Sequence, residues 1–422
     1  MTRQASGKFR TMFAPLSHHP FQLQFAAQSA TVIGSTLSPV ALSFGILAAT
    51  GSPAALGMAL TAYAVPLVIF LLVGGVWADR LSRQRVMLTA DAVLALAQIT
   101  LGTMLLSGNV HLWAIALIQV VSGTATAFYH PASTGLTKST VPRELLQQAN
   151  ALLSLTRSIA GSTGPLLASV LVVSIGSGWA LIADGMTFAA SALILRRLAV
   201  PRKSDPAVRD SFFRELREGF SEVLSRGWVL NSIAVFTVSN LAFAALNVIG
   251  PALFFQQTDG ALKWGVLLAA LNIGTVVGNL TALRWKPNRT IFAARIVEIA
   301  QVPLFISIAA DAPLLLTVSA ALVAGIGISL PDALWYSTLQ EQLPENVISR
   351  VASYDWLGSL ALRPIGYSVS ATIASGLGEA GTIMLGGLAI LLTRVIGAMH
   401  PSVHALDRRY STESAAPAAS NE

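Results

Sequence analysis

Apolar positions run through this chain in long blocks, and polar ones collect in the short gaps between them. Two such blocks, "AVPLVIFLLV" and "LTADAVLALAQITLGTMLL", flank the charged gap "GGVWADRLSRQRVM". A helix of about 20 apolar residues crosses the ~30 Å hydrocarbon layer of a membrane. By that measure the pattern predicts twelve spans, near 22–49, 56–77, 86–107, 112–134, 147–174, 179–199, 229–256, 263–284, 290–310, 313–336, 347–376 and 380–399. A backbone in lipid must satisfy its own hydrogen bonds, so blocks of this length are helices. The expected class is an all-α integral membrane protein.

Composition agrees with that reading. Hydrophobic residues make up 54% of the 422 and charged residues 11%, against about 25% charged in soluble domains. The first twenty residues are basic but hold no apolar core, which fits a cytoplasmic tail better than a cleaved signal. There is no cysteine, which excludes disulfides and thiolate metal sites.

The net charge of +7 matters through its location. With both termini inside, only Lys263 of the 27 Lys and Arg stands beside an outer loop. Arg157 and Arg363 fall within spans, and the others are counted at or near the inner side. Basic inner loops set this orientation, so a multi-pass protein of the cell (inner) membrane with cytoplasmic termini is expected. A basic surface for nucleic acid would not produce this alternation.

The segment "RRLAVPRKSDPAVRDSFFRELREGFSEVLSRG" divides the chain. Phe212, Phe213, Leu216, Phe220, Val223 and Leu224 recur at helical spacing, which predicts an amphipathic helix on the membrane surface. The expected organisation is an N-terminal six-helix bundle over 1–199, a cytoplasmic linker over 200–228 and a C-terminal six-helix bundle over 229–422. The halves echo each other: Pro142 with Pro344, and Gly164 with Gly366, at one offset of 202. Two pseudo-symmetric bundles of six are an architecture of alternating-access carriers.

The gap quoted first resembles the loop between helices 2 and 3 of the major facilitator superfamily, written G-x-x-x-D-R-x-x-R-R/K. Gly75, Asp79, Arg80, Arg83 and Arg85 match it, while Gln84 stands where a second adjacent cation is usual. "YHPASTGL", "VPRELLQQANAL", "ADGMTFAASALIL" and "STLQEQLPENVISRVASYDWLGS" are similar to the branch containing macrolide-efflux and enterobactin-export proteins. The resemblance covers about residues 20–400. It implies the major facilitator fold, with a cytoplasmic gate in which Asp79 and the arginines latch the inner side, joined by Asp91 and Asp355. The alternative is that these arginines only fix topology. Two departures stand out. Helix 4 reads Gln119-Val-Val-Ser122-Gly123 where drug–proton antiporters carry Arg-x-x-x-Gly, and Gly164-Pro165 is followed by Ala168 and Ser169 in place of glycines.

The same fold implies that spans 1, 4, 7 and 10 line a cavity. Span 1 carries Gln24, Gln28, Thr31, Ser35 and Ser38 at steps of three and four. Span 4 offers Gln119, Ser122, Thr126 and Tyr129; span 7 Phe236, Asn240, Phe243 and Asn247; span 10 Gly325, Ser329, Asp332 and Tyr336. Each stripe reads either as cavity lining or as hydrogen bonding between helices. An amide-rich, aromatic lining would suit a bulky amphipathic molecule.

A charge inside a membrane needs a reason or a partner. Arg157 and Arg363 are such charges, with Asp184, Asp332 and Glu298 as candidate counter-charges; Glu298 also stands one turn from Arg295. Asp332, on a polar stripe, is the first candidate for proton exchange and Asp184 the second; a structural ion pair is the alternative for each. The chain has no G-x-x-x-x-G-K-S/T loop for ATP, no histidine spacing suited to a metal and no credible nucleophile elbow. It is expected to need no cofactor and to be no enzyme. The expected function is a secondary transporter, exporting an amphipathic small molecule in exchange for protons. A dedicated siderophore or metabolite exporter, and a non-transporting receptor on the same fold, are the alternatives.

Overall fold

The computed structural model describes residues 13–78 (71–78 by their backbone alone), 82–198, 221, 223–343, 351, 354–355 and 358–404. Every long element in it is a helix. Helices α1 (His19–Ser35) and α2 (Ser38–Thr50) together make the first span. Then follow α3 (Pro53–Ala78), α4 (Arg83–Ser107), α5 (Leu112–Thr140), α6 (Leu146–Ile175) and α7 (Ser177–Arg196). The second half holds α8 (Gly227–Phe255), α9 (Gly260–Ala282), α10 (Thr290–Glu298), α11 (Val302–Ala309), α12 (Leu314–Gln342) and α13 (Arg363–Met399).

Among the described residues, eleven helical stretches are long and apolar enough to cross a membrane. The last of them, Gly358–Met399, is 42 residues long, roughly twice what one crossing needs. Gly378 divides it with φ 76° and ψ 164°, a conformation that only glycine adopts freely. α13 is therefore two spans joined by a turn, which gives the twelve that the hydrophobic blocks predict. The ninth span is α10 and α11, joined through a 3-10 turn at Ile299–Gln301. Pro303 explains that turn, since it has no N–H for the Ile299 carbonyl.

The chain separates into two compact units. One is Met1–Pro206 with Pro251–Ala269; the other is Ala207–Gly250 with Ala270–Glu422. In the first unit α4 packs along α7, α3 along α5, and α1 against α7. In the second, the ninth span packs on α12 and on α13. The repeat can be followed at single residues. A Cβ on Gly164 of the fifth span would collide with Thr36 of the first, and one on Gly366 of the eleventh would lie 2.7 Å from Ala244 Cβ of the seventh. The two glycines perform the same close approach in both halves.

Of the predicted surface helix in the linker, Phe212, Phe213, Leu216 and Phe220 lie outside the described residues. Val223 is buried and Leu224 is 52% exposed. Asp79 and Arg80 also lie outside them, and Gly75 is described only as helical backbone.

Small residues decide how closely the helices approach, because lipid offers little hydrophobic drive for helix association. α9 and α12 cross at a reciprocal pair: a Cβ on Gly274 would strike the Leu322 carbonyl, and one on Gly325 the Leu271 carbonyl. Gly325, expected along a cavity stripe, is a packing residue here. We predict that Gly274→Val forces α9 off α12 at a cost of about 1–3 kcal/mol. It should lower the unfolding temperature of detergent-solubilised protein, whereas Gly376→Ala, at a position with open space around it, should leave it unchanged.

Candidate functional site

The second unit holds an open cavity of about 400 Å³, within the range of small-molecule sites. Its first wall is the α8 stripe, Phe236, Asn240, Phe243 and Asn247, one or two residues per turn on a single face. Phe243 is held edge-on against Phe305 of α11 with ring centroids 5.3 Å apart. Asn240 Nδ2 donates to the Phe236 carbonyl at 3.0 Å, which fixes the amide and leaves its Oδ1 available as an acceptor.

The opposite wall comes from α12. Asp332 and Tyr336, one turn apart, line the cavity with their side chains exposed to it, and Trp335 lies between them in sequence. The Trp335 indole is buried between Trp228 (5.5 Å) and Phe236 (5.6 Å), both edge-on. Its Nε1–H donates to Asp355 Oδ2 at 2.9 Å, and Ser359 Oγ donates to Oδ1 at 3.1 Å. Asp355, expected at the gate, is thus a buried cavity-wall residue tied to α12. Arg363, a coupling candidate, shares that wall.

The floor is ionic. Arg295 of α10, Glu298 of α10 and Arg394 of α13 are each about 1% exposed. Arg295 Nη1 donates to both Glu298 oxygens at 2.7 and 2.9 Å, and its Nη2 to Ser232 of α8. Arg394 Nε stands 3.4 Å from Glu298 Oε2, while its other nitrogens donate to the Val235 carbonyl (3.1 Å), Thr393 (2.9 Å) and Ser239. Ser239 Oγ in turn donates to Gln301 Oε1 at 3.2 Å, and Gln301 Nε2 to the Gly327 carbonyl at 2.9 Å. The Arg295 guanidinium also lies 5.2 Å from the Phe236 ring centre, in cation–π range. The i, i+3 pair of Arg295 with Glu298 is present, but it is the core of a wider network. Arg295 and Arg394 are both turned into the protein interior.

The first unit disposes of its polar stripes differently. On the first span, Gln24 bonds Thr137 and Thr140 of α5, Thr31 Oγ1 reaches Asp91 at 3.4 Å, and Ser38 Oγ accepts from Gln98 of α4 at 2.9 Å. Gln28 is buried, and exposed Ser35 donates to the Val32 carbonyl of its own helix. On α5, Gln119 and Ser122 are buried, while Ser122 and Thr126 hydroxyls donate one turn back. In the second unit Ser329 donates across to the Thr275 carbonyl of α9 at 2.8 Å. Of the twelve cavity candidates, Phe236, Asn240, Phe243, Asn247 and Tyr336 come together. Thr31 and Ser329 bond between helices instead.

The remaining predicted residues are also placed. Asp91, expected with the gate, is fully buried between α1, α4 and α7, and accepts from Ser191 Oγ at 2.6 Å. Asp184 is fully buried and accepts from Gln98 Nε2 at 2.8 Å. Arg83 donates to the Gly135 carbonyl of α5 at 2.7 Å; Arg85 and Arg157 are exposed. The sequence reading missed Trp335, Gln301, Ser239 and Arg394. For Arg394 a signal existed: a cation five residues before the end of an apolar block, with an acid in the ninth span to answer it.

The model of the Major Facilitator Superfamily matches residues 25–366. The chain belongs to the major facilitator superfamily. It is similar to the enterobactin exporter EntS of Salmonella typhi, 26% identical over 390 residues that cover 89% of this chain and 92% of that one. It is also similar to macrolide efflux protein A of Streptococcus pyogenes, 23% identical over 402 residues, with 92% and 97% covered. Among solved structures, a variant of the nucleoside transporter NupG has a TM-score of 0.70 at 14% identity, covering 91% of this chain and 99% of its own. A bacterial homologue of the lysosomal transporter Spinster, inward-facing and unoccupied, scores 0.65 at 15% identity, with 95% and 98% covered. These two likenesses speak for the fold. A member of this superfamily with such relatives is a multi-pass membrane transporter.

The Arg295–Glu298–Arg394 network generates a prediction about stability. Removing one partner of a buried ionic cluster leaves the others uncompensated, at about 3–5 kcal/mol. Glu298→Gln, which leaves two guanidinia together, should therefore lower the unfolding temperature more than Arg394→Met, which leaves a matched pair. The check is thermal unfolding of both purified variants in detergent.

Proposed function

We propose that the protein exports an amphipathic small molecule from the cell in exchange for protons, by alternating access of its two six-helix bundles. The observation that carries this reading is the cavity of the second unit. Of the three carboxyls on its lining only Asp332 is exposed; the walls around it include Phe236, Phe243, Tyr336, the amides of Asn240 and Asn247, and Arg363. Aromatic faces and amides hold a large, mixed-polarity molecule without demanding one shape. A lone acid open to that space serves an amine on the substrate and a proton in turn, so that loading one favours release of the other. Glu298 and Asp355, already engaged by buried partners, are less free to do this.

The distribution of Lys and Arg supports cytoplasmic termini, and the helix 2–3 motif supports an inner latch made by Asp79 with its arginines. Efflux as the direction draws on the relatives, whose names describe an enterobactin exporter and a macrolide efflux protein. The similarity to the enterobactin exporter over most of both chains favours a second reading, export of a dedicated siderophore.

Proteoliposomes with an imposed pH gradient test both. Offered rhodamine 6G, erythromycin and a catechol siderophore, the protein should move at least one against its gradient, and Asp332→Asn should bind that compound but lose the gradient-driven movement. Unchanged gradient dependence in the variant would remove Asp332 from coupling, and binding without movement in the unaltered protein would favour a receptor. For the latch, Asp79→Asn should insert normally and lose transport, measured by uptake into inverted vesicles beside an expression control. Normal transport there would leave the arginines a purely topological role.

A further inference from the structure

The first span breaks where Pro39 stands. Proline has no N–H to offer the Ser35 carbonyl four residues earlier and its ring crowds it, so α1 stops at Ser35 and α2 begins at Ser38. Leu37 N–H turns back to the Gly34 carbonyl at 2.7 Å, and the Ser35 carbonyl lacks its helical donor because residue 39 is proline. The break therefore presents backbone oxygen at the C-terminal, negative end of a helix inside the first unit.

Asp184 of α7 lies directly against this break. A Cβ on Gly34 would come within 2.6 Å of Asp184 Oδ1 and collide with Thr187 Oγ1, so the carboxylate reaches this position only because residue 34 is glycine. Oδ2 accepts from Gln98 Nε2 at 2.8 Å, and the same nitrogen is 2.9 Å from Ser38 Oγ on the far side of the break. Oδ1 is fully buried and has no hydrogen-bond donor. Among the described residues no Lys or Arg pairs with Asp184. A buried carboxylate with one neutral donor, facing the negative end of a helix, is left uncompensated.

We infer that the break is a sodium-ion site, held by Asp184 Oδ1 with Ser38, Thr187 and the Ser35 carbonyl. The donors are all oxygen, as a hard cation requires. Only one of them is charged, so a monovalent ion neutralises the site where a divalent one would leave an excess. Discontinuous membrane helices whose freed carbonyls meet a cation are an established construction in carriers of other folds. The inference concerns the first unit and stands apart from the reading of Asp332.

The test uses the purified full-length protein in detergent at fixed pH and ionic strength, with sodium exchanged for potassium or choline. Sodium alone should raise the unfolding temperature, and ²²Na⁺ should bind saturably at one ion per chain. Asp184→Asn should lose that binding. Ser38→Ala and Thr187→Val, each removing one oxygen, should weaken it by roughly tenfold or more, so the test survives a failure of the Asp184 variant to fold. Asp332→Asn should bind sodium as the unaltered protein does, which separates this inference from the proton-exchange reading. Equal responses to all three salts, or sodium binding untouched by the Ser38 and Thr187 variants, would overturn it.

Discussion

A charge or amide carried into a membrane-embedded bundle has to be answered from within that bundle, because lipid offers it nothing. Most of what is specific in this structure follows from that constraint, and both halves meet it at the same place. In the first, Thr31, Asp91 and Ser191 join spans one, three and six. In the second, Ser232, Arg295 and Arg394 join spans seven, nine and twelve through Glu298. The corresponding residues are 201, 204 and 203 positions apart in the chain. The repeat has kept the knot and inverted its sign, with a carboxylate at the centre of one and guanidinia around the other.

The knots have different consequences. In the first unit the polar atoms are largely consumed in tying helices together, and the span-1 stripe becomes internal support. In the second, the ionic cluster consumes Glu298 and both arginines while leaving Asp332 on an open wall beside the α8 aromatics. The division explains why one of the three carboxyls at this cavity is suited to meet a ligand: Glu298 and Asp355 already have partners. Trp335 ties these parts together, touching Phe236 through its ring and Asp355 through its nitrogen. A cavity occupant that moved Phe236 would be felt at the segment leading into the eleventh span.

Much of the fold was legible in the sequence because the bilayer writes it in a simple code, in which block length gives the spans. Gly164 and Gly366 echo each other at one offset, and in the structure each makes a close approach between spans. The site was legible only in part. The α8 stripe and Tyr336 line one cavity, and the stripe shares a face because a helical face is periodic. Whether a polar stripe faces a cavity or a neighbouring helix is a matter of rotation about the helix axis, which periodicity alone leaves open; Thr31 and Ser329 turned inward to Asp91 and to the Thr275 carbonyl. Arg394 was hidden for another reason. Near the inner end of a span a cation resembles a topology signal, and only its approach to Glu298 from a distant helix shows it to be internal. Pro39 and Pro303 were visible, but the breaks they make acquire meaning only once Asp184 and Gln301 are found beside them.

The proposed coupling of cargo to protons at Asp332 can be tested without a membrane. Purified protein in weakly buffered detergent solution, with a pH indicator, would be mixed with rhodamine 6G or erythromycin while binding is followed separately. Binding should release protons from the unaltered protein and none from Asp332→Asn. Binding with no proton release, or release that persists in the variant, would contradict the account.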